Sequence, residues 1–233
     1  MANSPVTLIT GGSSGIGAAA ARLLLNQGHR VAVTGRDCNR LARLWSELGE
    51  PAGLLTLAAD ASDYDAVQRA VESTVREFGR LDAVVANAGV GAVGNLADGD
   101  PAEWREMILT NVLGPALLIK AALPALKATR GRIVLIGSIA GLIYSEGNLY
   151  GAAKWAVTAL AENTRLMVTG DGIGVTLIAP GRVQTPFWDV HGGPPDGAIL
   201  TADQLASAIA WTISQPANVD VNTVTIRPVG SAV

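Results

Sequence analysis

A chain of 233 residues in which 49% are hydrophobic and only 16% are charged has the composition of a folded globular protein and excludes intrinsic disorder. The formal net charge of −3 argues against nucleic acid or an anionic membrane as a partner, because binding to either requires a basic surface. Aromatic residues make up 4%, whereas alanine, valine, leucine and glycine are abundant, which suits strands and helices packed closely in layers.

Seven short apolar runs alternate with longer amphipathic stretches along the chain. Several runs lack polar alternation, which is typical of strands covered by helices on both faces. Repeated strand–helix–strand units predict an α/β fold with a doubly wound, parallel, Rossmann-type sheet of about seven strands and helices on both faces. We find no repeat and no linker, and predict a single domain over residues 1–233. The predicted strands are residues 6–10, 31–34, 54–58, 81–86, 132–136, 175–179 and 223–227.

Helix boundaries are marked by capping and stop residues. Residues 65–78 place their apolar side chains on one stripe, and Ser62 with Asp65 resembles a capping box at the start of this helix. Residues 191–197, rich in glycine and proline, predict a mobile loop. Other helices are predicted to start at Asp100 with Pro101 and at Thr201 with Gln204, and helices are predicted to end at Gly28 and Gly79.

The cellular location of the protein can be predicted from its cysteine content and from its targeting signals. Cys38 is the only cysteine, so no internal disulfide can form, and a reducing cytoplasm is expected. The first residues lead directly into a strand without the pattern of a signal peptide. The most apolar helical stretch, residues 112–123, is shorter than the roughly 20 residues that a membrane span needs. We expect a soluble, cytoplasmic protein without a membrane partner.

The first strand runs into the segment Thr10-Gly11-Gly12-Ser13-Ser14-Gly15-Ile16-Gly17, which an alanine- and leucine-rich helix follows. Glycines let the backbone approach a pyrophosphate, whose charge then faces the helix N-terminus. The spacing differs from the plain Gly-x-Gly-x-x-Gly fingerprint, and such a segment can be a simple turn. Its place at the first strand–helix junction favours dinucleotide binding through Gly11, Ser13, Ser14, Gly15, Ile16 and Gly17.

The end of the second strand bears on the choice of cofactor. An NAD site places an acidic side chain there for the ribose 2′-hydroxyl, but this chain has Gly35 followed by Arg36. A guanidinium can bind a 2′-phosphate with two hydrogen bonds, and Arg40 could assist. Arg36 could instead be a solvated residue paired with Asp37. We predict NADP(H) as the cofactor.

Tyr150 and Lys154 are four residues apart in a predicted helix and therefore share a face. An adjacent ammonium and an oxidised nicotinamide would lower the pKa of the phenol and make it a usable acid/base. Ser138 follows the fifth strand, at the edge where open α/β sheets bind ligands, and could polarise a carbonyl oxygen.

These motifs together resemble the short-chain dehydrogenase/reductase family over essentially the whole chain. They occur in the family's order: residues 10–17, Asn87-Ala88-Gly89, Asn111, Ser138, Tyr150 with Lys154, and Pro180-Gly181 with Thr185. The resemblance implies that Tyr150 exchanges a proton with the substrate oxygen, and that Lys154 lowers the pKa of Tyr150 and holds the nicotinamide ribose. It also implies that Ser138 orients the substrate oxygen and that Asn111 anchors a water linked to Lys154.

The resemblance also implies further contacts to the cofactor. Asp60, with Ala61, is expected beside adenine, although Asp60 could simply precede a helix. Asn87 could likewise only cap a turn. The remaining implied positions are Asn87, Ala88 and Gly89 on the adenosine side, and Pro180, Gly181, Val183 and Thr185 near the carboxamide. Two departures, a Ser138–Tyr150 spacing one residue shorter than usual and a short segment 186–200, predict an altered loop and a fairly open pocket.

The substrate side is predicted from loops 90–96, 142–146 and 187–191, whose residues are mostly apolar. They favour a small apolar ketone, aldehyde or alcohol as substrate. Arg182 could meet an acidic group or be solvated, and His191 is expected to bind nothing. No residues have metal-site spacing, so we predict no metal.

Three functions remain open at this point. An NADP(H)-dependent carbonyl reductase or alcohol dehydrogenase is favoured, acting in the direction of carbonyl reduction. A 3-oxoacyl thioester reductase would need a basic landing patch, and a non-catalytic NADP(H)-sensing regulator would not need Ser138, Tyr150, Lys154 and Asn111 together. By resemblance we also expect a homotetramer or homodimer built through the long helices that contain Asn111 and Tyr150.

Overall fold

A computed structural model describes residues 4–194 and 196–231. Its single sheet has seven parallel strands in the order β3-β2-β1-β4-β5-β6-β7. The strands are β1 (Val6–Ile9), β2 (Arg30–Gly35), β3 (Leu54–Ala58), β4 (Ala83–Ala86), β5 (Arg132–Ile136), β6 (Gly174–Pro180) and β7 (Thr223–Ile226). All seven predicted strands are confirmed: β3 and β5 have the predicted ends, and the ends of the others differ by at most two residues. The doubly wound α/β prediction is therefore confirmed.

Seven α-helices are found in the described residues and cover both faces of the sheet. They are α1 (Gly15–Asn26), α2 (Cys38–Glu47), α3 (Tyr64–Phe78), α4 (Pro101–Ile108), α5 (Gly114–Thr129), α6 (Leu149–Val168) and α7 (Ala202–Ile213). Side chains of α3, α5 and α6 fill one core layer, and those of α1, α2 and α7 fill the other.

The uniformly apolar strands follow from this three-layer arrangement. Successive side chains of a strand point to opposite faces. In β5, Ile133 packs under α3, α5 and α6, whereas its neighbour Val134 packs in the layer of α1, α2 and α7. Helices cover both faces, so the strand residues are mostly apolar, with buried threonines such as Thr7 and Thr176 as exceptions.

The strand order fixes where a ligand can bind. The chain moves outward from β1 to β3 and then returns to place β4 on the other side of β1. A crevice opens at such a reversal, outside the carboxyl ends of the strands. The loops after β1 and β4 meet there, which places the glycine-rich segment beside residues 87–89.

Two local predictions need correction. Ser62 and Asp65 do not form a capping box, because Asp63 is the N-cap of α3 and its carboxylate accepts hydrogen bonds from the amides of Asp65 and Ala66. His191 belongs to a short 3₁₀ helix, Pro186–His191, rather than to an irregular loop. Pro195, in the middle of the predicted mobile loop, lies outside the described residues.

The apolar stretch at residues 112–123 is part of a longer helix than the sequence suggested. Helix α4, a wide π-helical turn (Leu109–Leu113) and α5 form one continuous helix, Pro101–Thr129, of 29 residues. In the described part of the chain it is the one helix long and apolar enough to cross a membrane, so the expectation that it is too short is wrong. It packs on α3 and on the sheet, and a core helix passes the same test.

Replacement of Thr201 by Ala tests the predicted start of α7. The hydroxyl of Thr201 accepts a bond from the Gln204 amide at 3.3 Å, and the Gln204 side chain accepts one from the Thr201 amide at 2.8 Å. We expect Thr201→Ala to lower the free energy of unfolding by about 0.5–2 kcal/mol in urea titrations. Ser207→Ala, on the exposed face of the same helix, is the control and should change it by less than about 0.5 kcal/mol.

Candidate active site

The glycine-rich segment brings bare backbone to the carboxyl end of β1. Gly11 and Gly15 adopt φ values of +64° and +53°, which favour glycine. A Cβ added at Gly17 would lie 2.5 Å from the Gly11 carbonyl oxygen, and one added at Gly11 would lie 2.8 Å from the Ala88 Cα. The side chain of Ser14, the N-cap of α1, makes no capping bond. The α1 N-terminus thus retains free amide donors of the kind that bind phosphate.

Asn87 fastens this segment to the end of β4. Its side-chain amide donates to the carbonyl oxygens of Thr10 and Gly11 at 2.9 and 3.0 Å. In return, the Thr10 hydroxyl accepts from the backbone amides of Asn87 and Ala88 at 3.1 and 3.2 Å. Asn87 therefore shapes the loop rather than capping its own turn. Thr10, which we did not predict as a site residue, is its partner.

The segment after β6 lies against the same loop. Pro180 ends β6, and the Gly181 amide donates to the Ile226 carbonyl oxygen at 2.7 Å. A Cβ added at Gly15 would be 3.2 Å from the Thr185 Cβ, so Thr185 is brought close to the glycine-rich loop. Val183 is buried, and its carbonyl oxygen accepts from the Trp188 indole at 2.8 Å.

Arg36 and Asp60 face a cleft of about 330 Å³. Nη1 of Arg36 pairs with Oε1 of Glu106 at 2.6 Å. The alternative pairing with Asp37 is wrong, because Asp37 caps α2 and binds Arg40 at 3.3 Å.

Asp60 is held in place by its own loop. Its Oδ1 accepts from the amide and the hydroxyl of Ser62 at 2.8 and 2.7 Å. Burial works to raise the pKa of Asp60, but these two bonds and the charge of Arg36 outweigh it, and the pKa lies below its usual value. Its neighbour Ala61 is buried, and a Cβ added at Gly114 would lie 3.1 Å from the Ala61 carbonyl oxygen.

Ser138, Tyr150 and Lys154 come together at the carboxyl end of β5. Ser138 follows that strand, and its hydroxyl is hydrogen-bonded to Tyr150, the second residue of α6. One helical turn later, Nζ of Lys154 lies 5.7 Å from the Tyr150 ring centre and donates to the Ile136 carbonyl oxygen at 2.9 Å. The predicted grouping of these three side chains is present in the structure.

Burial is the main influence on the pKa values of Tyr150 and Lys154. Burial raises the pKa of Tyr150 to about 12, against a smaller lowering by the hydrogen bond to Ser138. Burial also lowers the pKa of Lys154 to about 8. In the chain itself desolvation therefore outweighs the hydrogen bond to Ser138, and the lowering of the Tyr150 pKa expected from Lys154 and an oxidised nicotinamide stays a prediction.

Asn111 lies in the wide turn between α4 and α5. Its Oδ1 accepts from the Val90 amide and its Nδ2 donates to the Val90 carbonyl oxygen, both at 2.8 Å. A Cβ added at Gly89 would be 3.4 Å from that Oδ1. Asn111 thus fixes the loop that follows β4, and its predicted water-anchoring role stays a prediction.

Aromatic residues of the Pro186–His191 helix pack beside Tyr150. The ring of Phe187 lies 5.6 Å from that of Tyr150 and 5.6 Å from the imidazole of His191. A Cβ added at Gly91 would lie 2.7 Å from Nε2 of His191. His191 and Gly91 thus bring together the loops after β6 and β4, two of the loops from which the substrate side was predicted. Tyr144 is 91% exposed, so it is not part of an enclosed wall.

Two other expectations concern charged groups. Arg182 is exposed and donates to the Asp196 carbonyl oxygen at 3.0 Å, in line with a solvated loop residue. Within residues 4–194 and 196–231, no group of three or more His, Cys, Asp or Glu side chains could hold a metal ion.

Known proteins share this arrangement. The family model described as short chain dehydrogenase matches residues 5–192. The chain belongs to the short-chain dehydrogenase family. Sulfoacetaldehyde reductase 2 of Chromohalobacter salexigens is 36% identical to it over 242 residues, covering 98% of this chain and 96% of that protein.

Two solved structures are similar to this short-chain dehydrogenase throughout. An alcohol dehydrogenase from the archaeon Thermococcus sibiricus, complexed with 5-hydroxy-NADP, has a TM-score of 0.89 and 31% identity and covers 98% of both chains. The closed form of a serine dehydrogenase complexed with NADP+ has a TM-score of 0.90 and 32% identity, covering 98% of this chain and 96% of that one. The fold and the oxidoreductase family are thereby established.

Burial of Lys154 should make the stability of this short-chain dehydrogenase depend on pH. The pKa of Lys154 is about 8 in the folded chain, against 10.5 for an ordinary lysine. Between these values the unfolded chain binds more protons, so stability rises with pH. From pH 8 to pH 10 we expect the free energy of unfolding of the wild type to rise by about 1–3 kcal/mol relative to that of Lys154→Met. Urea titrations of both proteins measure this difference, and a flat difference contradicts the shift.

Proposed function

We propose that this short-chain dehydrogenase is an NADP(H)-dependent carbonyl reductase or alcohol dehydrogenase. The observation that carries the proposal is the hydrogen bond between Ser138 and Tyr150, with the Lys154 ammonium 5.7 Å from the phenol ring. These groups lie at the carboxyl end of β5, on the sheet edge that also carries the glycine-rich loop. An acid/base thus shares one crevice with a phosphate-binding loop.

The chain fits a dinucleotide on two counts. The loop from Gly11 to Gly17 has no room for side chains at its glycines, so a pyrophosphate can approach its backbone closely. The N-terminus of α1 supplies amide donors and the positive end of a helix dipole. We assign Gly11, Ser13, Ser14, Gly15, Ile16 and Gly17 to the pyrophosphate, and Asp60, Ala61, Asn87, Ala88, Gly89, Pro180, Gly181, Val183 and Thr185 to the rest of the cofactor.

The preference for NADP(H) rests on the end of β2. Gly35 leaves that position without a carboxylate, and Arg36 follows it at the mouth of the cleft. A guanidinium attracts a 2′-phosphate, whereas an acidic side chain at Gly35 would repel it. The two similar solved structures, with 5-hydroxy-NADP and NADP+, support the same choice.

The proposed mechanism assigns one step to each side chain. A nicotinamide cofactor, held through the loop from Gly11 to Gly17, would supply the hydride for reduction and accept it in oxidation. Tyr150 gives its phenolic proton to the substrate oxygen in reduction and takes it back in oxidation, while Ser138 orients that oxygen by a hydrogen bond. Lys154, protonated below pH 8, offsets the cost of a phenolate whose pKa burial raises to about 12. Asn111 holds the Val90 loop in place and, we propose, a water that connects Lys154 to solvent.

For the substrate we propose a small ketone, aldehyde or secondary alcohol with an apolar body. Phe187 presents an aromatic ring next to Tyr150, and Gly91 lies against it from the loop after β4. An apolar wall beside a single acid/base suits such a molecule. The relatives named sulfoacetaldehyde reductase and alcohol dehydrogenase support a carbonyl/alcohol interconversion. We propose carbonyl reduction as the physiological direction.

We further propose that the enzyme is cytoplasmic and forms a homodimer or homotetramer through its long helices. Ile108 and Leu113, near Asn111, are 37% and 40% exposed, and Leu166 and Met167 on α6 are 63% and 58% exposed. Large apolar side chains on two neighbouring helices suit a contact between copies of the chain.

Tyr150→Phe tests the mechanism. The phenylalanine keeps the packing on Phe187 but has no proton to transfer, so we expect kcat to fall by about 10²–10⁴-fold while the Kd for NADPH stays within about threefold. The assay is NADPH oxidation with a panel of small ketones and aldehydes. Tyr144→Phe removes a hydroxyl from an exposed ring and should keep its activity. Undiminished turnover by Tyr150→Phe refutes the mechanism, and tight NADPH binding without wild-type turnover favours a sensor.

Arg36→Ala tests the cofactor preference. Loss of a charged hydrogen-bond donor should weaken NADPH binding by about 1.5–3 kcal/mol and leave NADH binding nearly unchanged. Equilibrium titration with both cofactors measures the two effects. Arg43→Ala, which removes an exposed arginine paired with Glu47 on α2, should change neither. Equal losses for NADPH and NADH contradict the assignment of Arg36.

A further inference from the structure

Helix α4 contributes charged residues to the cleft that Arg36 lines. Ala102, Arg105, Glu106 and Leu109 recur at helical spacings of three and four, so one face of the helix that begins at Pro101 lines the cleft. Arg36, Asp60 and Ser62 line the opposite side. The four ionisable side chains comprise two arginines and two carboxylates, which leaves the cleft with no net charge.

The two carboxylates are held differently. Asp60 accepts two hydrogen bonds from Ser62 within its own loop and is fixed by them. Within the described residues Glu106 forms an ion pair with Arg36, and the side chains of Glu106 and Arg36 are 53% and 55% exposed. An exposed ion pair contributes little to stability and is easily exchanged. Glu106 is therefore the carboxylate that can leave when another anion enters.

A 2′-phosphate needs more positive charge than Arg36 alone provides. Such a group carries between one and two negative charges at neutral pH, and Asp60 already offsets Arg36. The glycine-rich loop offers Ser13 and Ser14 but no basic side chain. Arg40 is paired with Asp37 at 3.3 Å.

Arg105 is the remaining cation in this cleft. No ion pair to Arg105 is formed by residues of the described ranges 4–194 and 196–231. It precedes Glu106 in α4 and lines the same cleft as Arg36. A phosphate that displaces Glu106 from Arg36 would thus enter a cleft that already holds a second free guanidinium.

We propose that helix α4 sets the cofactor preference of this enzyme through two adjacent residues. Arg105 is a second ligand of the 2′-phosphate, and Glu106 is a counter-ion that neutralises Arg36 until the phosphate replaces it. NADH, which lacks this phosphate, leaves the Arg36–Glu106 pair intact. The inference rests on the proposed NADP(H) preference and assigns specificity to residues distant in sequence from β2.

The test measures binding rather than turnover. NADPH and NADH are titrated against Arg105→Gln and Glu106→Gln, and the fragments 2′,5′-ADP and 5′-AMP isolate the contribution of the phosphate. For Arg105→Gln we expect NADPH and 2′,5′-ADP to bind about fivefold to tenfold more weakly, with NADH and 5′-AMP within about twofold. For Glu106→Gln we expect NADPH to bind about threefold to fivefold more tightly, with NADH unchanged.

Two matched controls change the same charges elsewhere. Glu162→Gln removes an exposed carboxylate paired with Arg165 on α6, and Arg76→Gln removes an exposed arginine on α3. Neither residue lines the cleft. Both variants should bind NADPH and NADH as the wild type does, which separates a local contact from the change in net charge.

The outcomes separate this inference from the proposed function. If Arg36→Ala weakens NADPH and NADH equally, the cofactor preference itself is wrong. If Arg36→Ala is selective but Arg105→Gln leaves the NADPH/NADH ratio unchanged or weakens both cofactors equally, the role of Arg105 is overturned. Unchanged or weaker NADPH binding by Glu106→Gln overturns its role as a displaceable counter-ion.

Discussion

The buried ammonium of Lys154 is the constraint on which the rest of the site depends. Taking a charge out of water costs several kcal/mol, and here a bond to the carbonyl oxygen of Ile136 offsets part of that cost. The site retains Lys154 because a buried phenol such as Tyr150 resists ionisation without a nearby cation. The end of β5 and the start of α6 are thus fixed relative to each other by one lysine.

The parallel sheet explains how segments far apart in sequence meet around that lysine. The carboxyl ends of β1, β4, β5 and β6 lie at one edge, so each following loop contributes to one crevice. Small contacts then lock the loops together: Asn87 holds the loop after β1, Asn111 holds Val90, and the missing side chain of Gly15 admits Thr185. The site is rigid because its loops bind each other as well as their own strands.

The sequence was sufficient for the fold and for the grouping of Ser138, Tyr150 and Lys154. Apolar runs identify strands well when both faces of a sheet are covered, and a four-residue spacing identifies a shared helix face. It was insufficient for the cleft, because the pairing of Arg36 with Glu106 joins residues 70 positions apart. The raised pKa of Tyr150 in the chain itself could not be predicted from the sequence either, since burial is a property of the packed chain. His191 was expected to bind nothing, because its contacts with Phe187 and Gly91 arise only through the fold.

The π-helical turn at Leu109–Leu113 lets the continuous helix Pro101–Thr129 both line the cleft and pack in the core. A π-helical turn accommodates an extra residue and so offsets the angular phase of everything that follows by about 100°. Upstream of it, the helix places Arg105 and Glu106 in the cleft that Arg36 lines, and downstream it packs apolar side chains against the sheet. A shortening by one residue here would restore regular winding and rotate one of these surfaces out of alignment. The π-helical turn therefore sets the angle between the cleft-lining face and the core-facing stripe of this helix.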